Sequence, residues 1–186
     1  MCKKQVTNYF AELIKVLSDA DASAIEQAIS VLRQACDDSK QIFIFGNGGS
    51  AATAMHMACD LNNIRYKGKK RFKAYCLIEN LAVLTALAND NSYEDVFVEQ
   101  LKNLLAKDDV VVAISASGNS PNIVKAVGYA KSEGAKIIGM TGFSGGELKS
   151  LSDVSIHADV NDYGKAEDFH LICEHNIVNY LKSQTD

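Results

Sequence analysis

Residues 41–60, QIFIFGNGGSAATAMHMACD, constrain this chain more than any other stretch. An apolar run rich in Ile and Phe reads as a buried strand. It breaks at Gly46-Asn47-Gly48-Gly49-Ser50, and small residues then open a helix that carries His56 and Asp60 on one face. Glycines let the backbone turn sharply and present N–H groups with no Cβ in the way, while the first helical turn adds unpaired donors and the positive end of its dipole. Such a loop suits a phosphate.

The rest of the chain repeats that arrangement. Residues 6–16 and 22–35 carry apolar side chains at helical spacing, with Asp21 or Ser23 available as N-cap of the second, so the chain starts as a helical pair. After the strand over 41–45 and its helix come a basic loop through Lys70, a strand over 72–78, and helices over 81–88 and 96–106. Residues 110–114 are the most strand-like run. Ser115-Ala116-Ser117-Gly118-Asn119-Ser120 is again a polar loop containing glycine, and 122–131 is again a helix, with Ser120 at its N-cap and Pro121 at its first position. Strands over 136–141 and 154–156 precede a last helix over 165–182. Apolar strands alternating with helices specify a mostly parallel sheet covered on both faces. The expected class is α/β, a three-layer α/β/α sandwich with a helical N-terminus. Ligands of such sheets bind beyond the carboxyl ends of the strands, where both polar loops lie. For one loop alone the plainer explanation is that Ser120 caps its helix and Ser115 and Ser117 satisfy loop backbone. Two matching loops favour an anion site.

Composition narrows the class. A chain of 186 residues, 47 % hydrophobic and with a single Pro, can bury one good core and shows no break between two, so one domain over 1–186 is expected. The net charge is −4, and the basic cluster Lys67, Lys69, Lys70 and Arg71 is short, flanked only by Tyr66 and Phe72, which argues against nucleic-acid binding. No stretch approaches the roughly 20 apolar residues of a membrane span, and the first ten residues lack a signal-peptide core, so a cytoplasmic location away from membranes is expected. Five scattered cysteines without CxxC spacing read as reduced thiols that fill the core.

Two common glycine-loop chemistries fit poorly. Gly46, Gly48 and Ala51 satisfy a relaxed dinucleotide fingerprint, but about 20 residues later the chain has residues 66–70 and no acid for a ribose. There is also no G-x-x-x-x-G-K-[ST]. A monophosphate ligand remains.

GNGGSAATAMHMACDL, Asn89-Asp90, AISASGNSPNIVKAV, TGFSGGEL and a last helix with Glu167 and His175 together resemble the sugar isomerase (SIS) fold. Within it they most resemble the phosphoheptose isomerases, which convert sedoheptulose 7-phosphate to D-glycero-D-manno-heptose 7-phosphate for glycan precursors such as those of lipopolysaccharide or capsule. The branch also contains an initiator-associating regulatory protein that lacks the full metal set. The resemblance implies a homotetramer with active sites at subunit interfaces. It places substrate phosphate on Ser115, Ala116, Ser117 and Ser120, with Asn47, Gly48, Gly49 and Ser50 nearby, and sugar hydroxyls on Asn89 and Asp90. It implies zinc, or another divalent ion, on His56, Asp60, Glu167 and His175, with Asp60 and His175 catalytic and Glu167 also touching substrate. This chain departs from the family in having Asp60 for Glu, Glu167 for Gln and Gly164 for Asp.

The residues allow these roles. His56 and Asp60, four apart, share a helix face and can meet one metal or one substrate carbon, although a surface pair would have the same spacing. Isomerisation through an enediol needs a base to move a proton between C2 and C1 and an acid or metal for the oxyanion, and Asp60 and His175 can serve. His170 and Glu174 form another i, i+4 pair, read as supporting or surface residues, and His157 reads as structural. Glu167 and His175 are eight positions apart, about 12 Å along a straight helix and about 80° around it, so one metal cannot easily take both. Either Glu167 precedes the regular helix and folds back, or the two serve sites in different subunits. The first helix, with Val6, Phe10, Leu13, Ile14 and Leu17, either offers a subunit contact or packs on its own sheet.

Overall fold

The computed structural model describes residues 2–68 and 70–184; Lys69 of the basic run lies outside them. In chain order the elements are α1 (Cys2–Ser18), α2 (Ala22–Asp37), β1 (Gln41–Gly46), α3 (Gly48–Asn63), β2 (Arg65–Tyr66), β3 (Lys70–Arg71), β4 (Lys73–Cys76) and α4 (Leu81–Asp90). A 3₁₀ turn (Tyr93–Asp95) follows, then α5 (Val98–Leu104), β5 (Val110–Ser115), α6 (Pro121–Ser132), β6 (Lys136–Thr141), α7 (Gly146–Leu151), β7 (Val154–His157) and α8 (Tyr163–Ser183). Five strands form one sheet in the order β4-β1-β5-β6-β7, every pairing parallel.

Alternation within the strands divides the core. Ile42, Ile44, Val110, Val112 and Ile114 face one cluster, shared with α2, α3 and α8, while Phe43, Phe45, Val111 and Ala113 face another, shared with α5, α6 and α7. Each fully buried Ile, Val or Phe contributes about 1.5–3 kcal/mol by leaving water, so the two layers are held from both sides of one sheet. The expected α/β/α sandwich is therefore present, helical N-terminus included.

The differences are local. The strand expected over 72–78 is shorter, Lys73–Cys76, although Leu77 N–H still donates to Ile44 O at 3.1 Å. The helix expected over 96–106 is shorter, α5 over Val98–Leu104, with the 3₁₀ turn ahead of it, and α7 begins after Gly145, whose φ of 88° suits a residue without Cβ. The basic loop is a small antiparallel hairpin, β2 with β3, folded onto α2, where Asp37 accepts from Lys67 at 2.9 Å and Lys70 at 2.7 Å. Cys36, Cys76 and Cys173 are buried and Cys59 is exposed, all as free thiols. Among the described residues, no helix is long and apolar enough to cross a membrane.

The first helix lies on α8. Tyr9 donates to Asp168 at 2.6 Å, and buried Lys165 is held between Glu12 and Asp162, each at 2.9 Å. Leu13, Val16 and Leu17 are half-buried, while Val6, Phe10 and Ile14 remain exposed.

One buried acid sets the start of two neighbouring strands. Asp109, 2 % exposed, accepts from Gln41 N–H at 2.9 Å and Ala106 N–H at 2.8 Å, fixing where β1 and β5 enter the sheet. Asp109→Ala leaves both donors without this partner and should lower unfolding free energy by about 1–3 kcal/mol, read as a shifted urea midpoint; an unchanged midpoint would show that the donors find other acceptors.

Candidate functional site

Adjacent parallel strands bring the two polar loops together. Gly46 at the end of β1 pairs with Ile114 near the end of β5, so both chains leave the sheet at the same level and turn into α3 and α6. The loops are fastened by their side chains. Asn47 Nδ2 donates to Asn122 Oδ1 at 2.9 Å, Asn122 Nδ2 donates to Asn47 Oδ1 at 3.0 Å, and Tyr93 Oη donates to the same Asn47 oxygen at 2.9 Å.

That fastening frees the helix ends. Asn47 occupies the N-cap position of α3, yet it makes no side-chain cap bond because its amide is engaged with Asn122 and Tyr93. Ser120 occupies the N-cap position of α6, as its sequence suggests, but its hydroxyl does not cap either; it lies 3.3 Å from Ser115 Oγ. By contrast α2, α4 and α8 are capped by Asp21, Asn80 and Asp162. The short helices α5 and α7 have Phe97 and Gly145 at that position, which offer no capping group. The two long helices that meet at the sheet edge therefore point uncapped N–H groups, and the positive ends of their dipoles, at one place.

Between them lies a cleft of about 130 Å³, lined by Asn47, Ser50, Ser115, Ser117, Ser120 and Glu167 among others. This is below the roughly 300–1,000 Å³ of a whole-ligand pocket, so it suits one end of a ligand. Ser115 Oγ accepts from Gly118 N–H at 3.2 Å and Ser117 Oγ from Asn119 N–H at 3.3 Å, so both hydroxyls shape the loop by accepting from its backbone. Ala116 lines the cleft, and Gly48 takes a φ of 55°. A Cβ on Gly49 would overlap the Glu167 carboxyl, which packs against that backbone. Burial, with Asp168 adding to it, pushes the Glu167 carboxyl above its ordinary pKa.

Further along the same two helices is a second group of side chains. His56 and Asp60 from α3 meet Glu174 and His175 from α8, with one potential ligand atom from each lying within 4.8 Å of all the others. His56 Nε2 is 3.9 Å from Asp60 Oδ2, His175 Nε2 is 3.4 Å from Glu174 Oε2, and the imidazole rings meet edge to face at 4.9 Å. Ligand atoms on a tetrahedral zinc stand about 3.3 Å apart, so small side-chain rotations would close the group on one ion. Two imidazoles with two carboxylates form a donor set that fits zinc or a similar divalent ion. Lys182, in the last turn of α8, reaches within 3.7 Å of Asp60 Oδ2. Glu174 is fully buried and neither of its carboxyl oxygens has a hydrogen-bond partner; burial first, then Asp60, pushes its pKa up to about 7.

Three of the four metal positions implied by the sequence thus converge within one chain, and the fourth does not. Glu167 sits inside regular α8 rather than ahead of it, two turns from His175, and lines the anion cleft. Its place in the group is taken by Glu174, whose i, i+4 spacing from His170 suggests only a supporting or surface residue. His170, its i−4 neighbour, is also fully buried. Burial pushes His170 down to about 4, and its Nε2–H donates to Thr141 O at 3.0 Å, so this neutral ring braces α8 against β6. His157 Nδ1 is 3.0 Å from Thr141 Oγ1, consistent with a structural role. Asn89 and Asp90 lie exposed at the end of α4, the first donating to the second at 2.8 Å, and do not line the cleft. Asn122 and Tyr93 escaped the sequence reading. A polar side chain immediately after Pro121, at the start of an otherwise apolar helix face, was the available signal for Asn122.

Comparison with known proteins agrees with this geometry. A family described as "SIS domain" matches residues 6–142, which covers both loops and stops before α8. The phosphoheptose isomerase of Aliarcobacter butzleri is 33 % identical over 174 residues, 93 % of this chain and 92 % of that protein. The structure of phosphoheptose isomerase GmhA from Neisseria gonorrhoeae superposes with a TM-score of 0.90 at 29 % identity, covering 98 % of this chain and all of the other. A phosphoheptose isomerase from Francisella tularensis gives 0.91 at 25 %, covering 98 % and 99 %. The chain belongs to the SIS-domain family, in its phosphoheptose isomerase branch.

Proposed function

We propose that this protein is an aldose–ketose isomerase that converts sedoheptulose 7-phosphate to D-glycero-D-manno-heptose 7-phosphate in the cytoplasm, as a step toward a heptose-containing glycan. The observation that carries the reading is the pair of uncapped helix ends over a serine-lined cleft, followed along the same helices by two imidazoles and two carboxylates. The spacing fits a long substrate. His56 is six residues beyond Ser50 and His175 eight beyond Glu167, or about 9 and 12 Å of helix. A phosphate and the seven carbons behind it span on the order of 10 Å at about 1.2 Å per bond, which sets C1 and C2 beside the metal group.

In this reading Ser115, Ser117 and Ser120, with the backbone at Ala116 and from Asn47 to Ser50, hold the phosphate, and that anchoring positions the open-chain sugar. Asp60 takes the proton between C2 and C1, and His175 handles the proton at the neighbouring oxygen. A divalent ion, with zinc the favoured candidate, would polarise the carbonyl and offset charge developing on its oxygen. His56, Asp60 and His175 would hold it. A regulatory phosphosugar-binding protein would need the cleft but not this second group, so the group favours the enzyme. One SIS unit spans the chain in this reading, with no nucleic-acid or membrane partner.

The exposed stripe of Val6, Phe10 and Ile14 on α1 and the exposed Leu81 and Val83 on α4 support assembly into a homotetramer. Asp60 and His175 already meet within one chain and Glu167 lines its own chain's cleft, so contributions shared between subunits fall to Asn89 and Asp90. Light scattering should give four times the chain mass, and an active monomer would remove the shared-site reading.

Purified protein supplied with zinc should turn over sedoheptulose 7-phosphate in preference to ketose 6- and 5-phosphates. Asp60→Asn should reduce turnover by a hundredfold or more while leaving phosphate affinity nearly intact. Full activity in that variant would move the base elsewhere; binding without turnover in the wild type would establish the regulatory reading.

Glu167 offers a separate test, because a carboxylate lining an anion cleft repels its ligand. Its raised pKa means that the repulsion falls as pH drops through that pKa, so phosphate binding should strengthen toward acid while the ligand keeps its charge. Glu167→Gln should tighten inorganic phosphate at pH 8 and flatten this dependence, as measured by calorimetry; unchanged affinity at pH 8 would place Glu167 outside the anion site.

A further inference from the structure

The least expected feature of the site is Glu174. A carboxyl group that is fully buried and has no hydrogen-bond partner on either oxygen is costly to keep in a folded protein, and the other buried acid described, Asp109, is partnered. Its side chain could have turned toward donors or water only by leaving the inner face of α8, where its helix neighbours Phe169, Cys173, Ile177 and Val178 pack into the core. What it does face is His175 Nε2 at 3.4 Å and, within 4.8 Å, the ligand atoms of His56 and Asp60. No described donor satisfies it; a cation placed among these atoms would.

We propose that Glu174 is the fourth protein ligand of the metal site, in the position that the sequence pattern had given to Glu167, so that α3 and α8 of a single chain hold the ion. The inference rests on the metal reading of the site proposed above. Three features of the chain agree with it. The two carboxylates come one from each helix, as do the two imidazoles, so the group clamps α3 to α8 symmetrically. Glu167 is left in the anion cleft, against Gly49, where the geometry shows it. Lys182, which approaches Asp60, is half-exposed and can turn its ammonium toward solvent as a divalent ion enters.

A ligand role and a packing role predict opposite signs for the near-isosteric change Glu174→Gln. If Glu174 binds metal, the neutral amide removes a buried, unpartnered acid, so the metal-free protein should melt at the same or a higher temperature than wild type. At the same time its zinc affinity, measured by competition with a chelating dye, should fall by more than about a hundredfold, beyond the roughly 10–100-fold lost with groups that only support the ligands. Cobalt(II) substitution gives a second readout: the wild type should show the intense visible bands of a tetrahedral site and Glu174→Gln should lose or shift them, while Glu167→Gln should leave both cobalt spectrum and zinc affinity unchanged. Zinc affinity of Glu174→Gln within about threefold of wild type would overturn the assignment while leaving the metal reading in place. Loss of affinity in Glu167→Gln with none in Glu174→Gln would overturn it in favour of a ligand set that crosses between subunits. A wild-type chain that binds neither zinc nor cobalt would overturn both the assignment and the metal reading.

Discussion

The reciprocal amide pair between Asn47 and Asn122 is the contact on which the rest of the site depends. Two helices that begin at the same edge of a sheet bring two positive dipole ends, roughly half a charge each, to one spot, and these ends repel. Parallel pairing of β1 and β5 forces that meeting. The Asn pair, with Tyr93 behind it, holds the ends together and occupies the side chain that would otherwise cap α3. An anion bound in the cleft would supply what neither cap does. The fold accepts a local electrostatic penalty that such an anion would offset.

The last helix completes what the sheet begins. Its first turns wall the cleft with Tyr163 and Glu167, its inner face fills the core with Phe169, Cys173 and Ile177, and its middle brings Glu174 and His175 to α3. His170 fixes its height: the neutral ring donates to the carbonyl that ends β6, so sliding α8 would strand a buried nitrogen. One rigid rod therefore sets the distance between the serine-lined cleft and the group of imidazoles and carboxylates.

Much of this was legible from spacing alone. Short continuous apolar runs over 41–45 and 110–114 give buried strands, and polar glycine loops followed by helices give the architecture and the cleft. The i, i+4 relation of His56 and Asp60 survives into the structure because α3 has one exposed and one buried side there. The same relation misleads for His170 and Glu174. Both do share a face, but that face turns inward, and its two residues meet different neighbours, one at β6 and one at α3. Helical spacing states which residues point together and is silent on what they point at. Asp109, Tyr93 and Asn122 were hidden for a related reason: each acts through a partner tens of residues away, and a polar residue near a turn has many local explanations. The helix read over 96–106 narrows to Val98–Leu104 because apolar residues continue past both of its ends, and periodicity does not register where a helix stops.

The fastening of α1 has a consequence of its own. Tyr9 and Glu12 grip Asp168 and Lys165, which lie one and two positions from Glu167 on the cleft wall, while the opposite side of α1 shows Val6, Phe10 and Ile14 to the outside. Anything that settles on that outer stripe thus leans on the same helical turn that a bound anion touches. Linkage works in both directions: whatever free energy a docked neighbour lends to ligand in the cleft, the ligand lends back to the docking. In a chain that assembles through this stripe, assembly and occupancy would be two readings of one equilibrium, joined through a tyrosine hydroxyl and a buried ammonium.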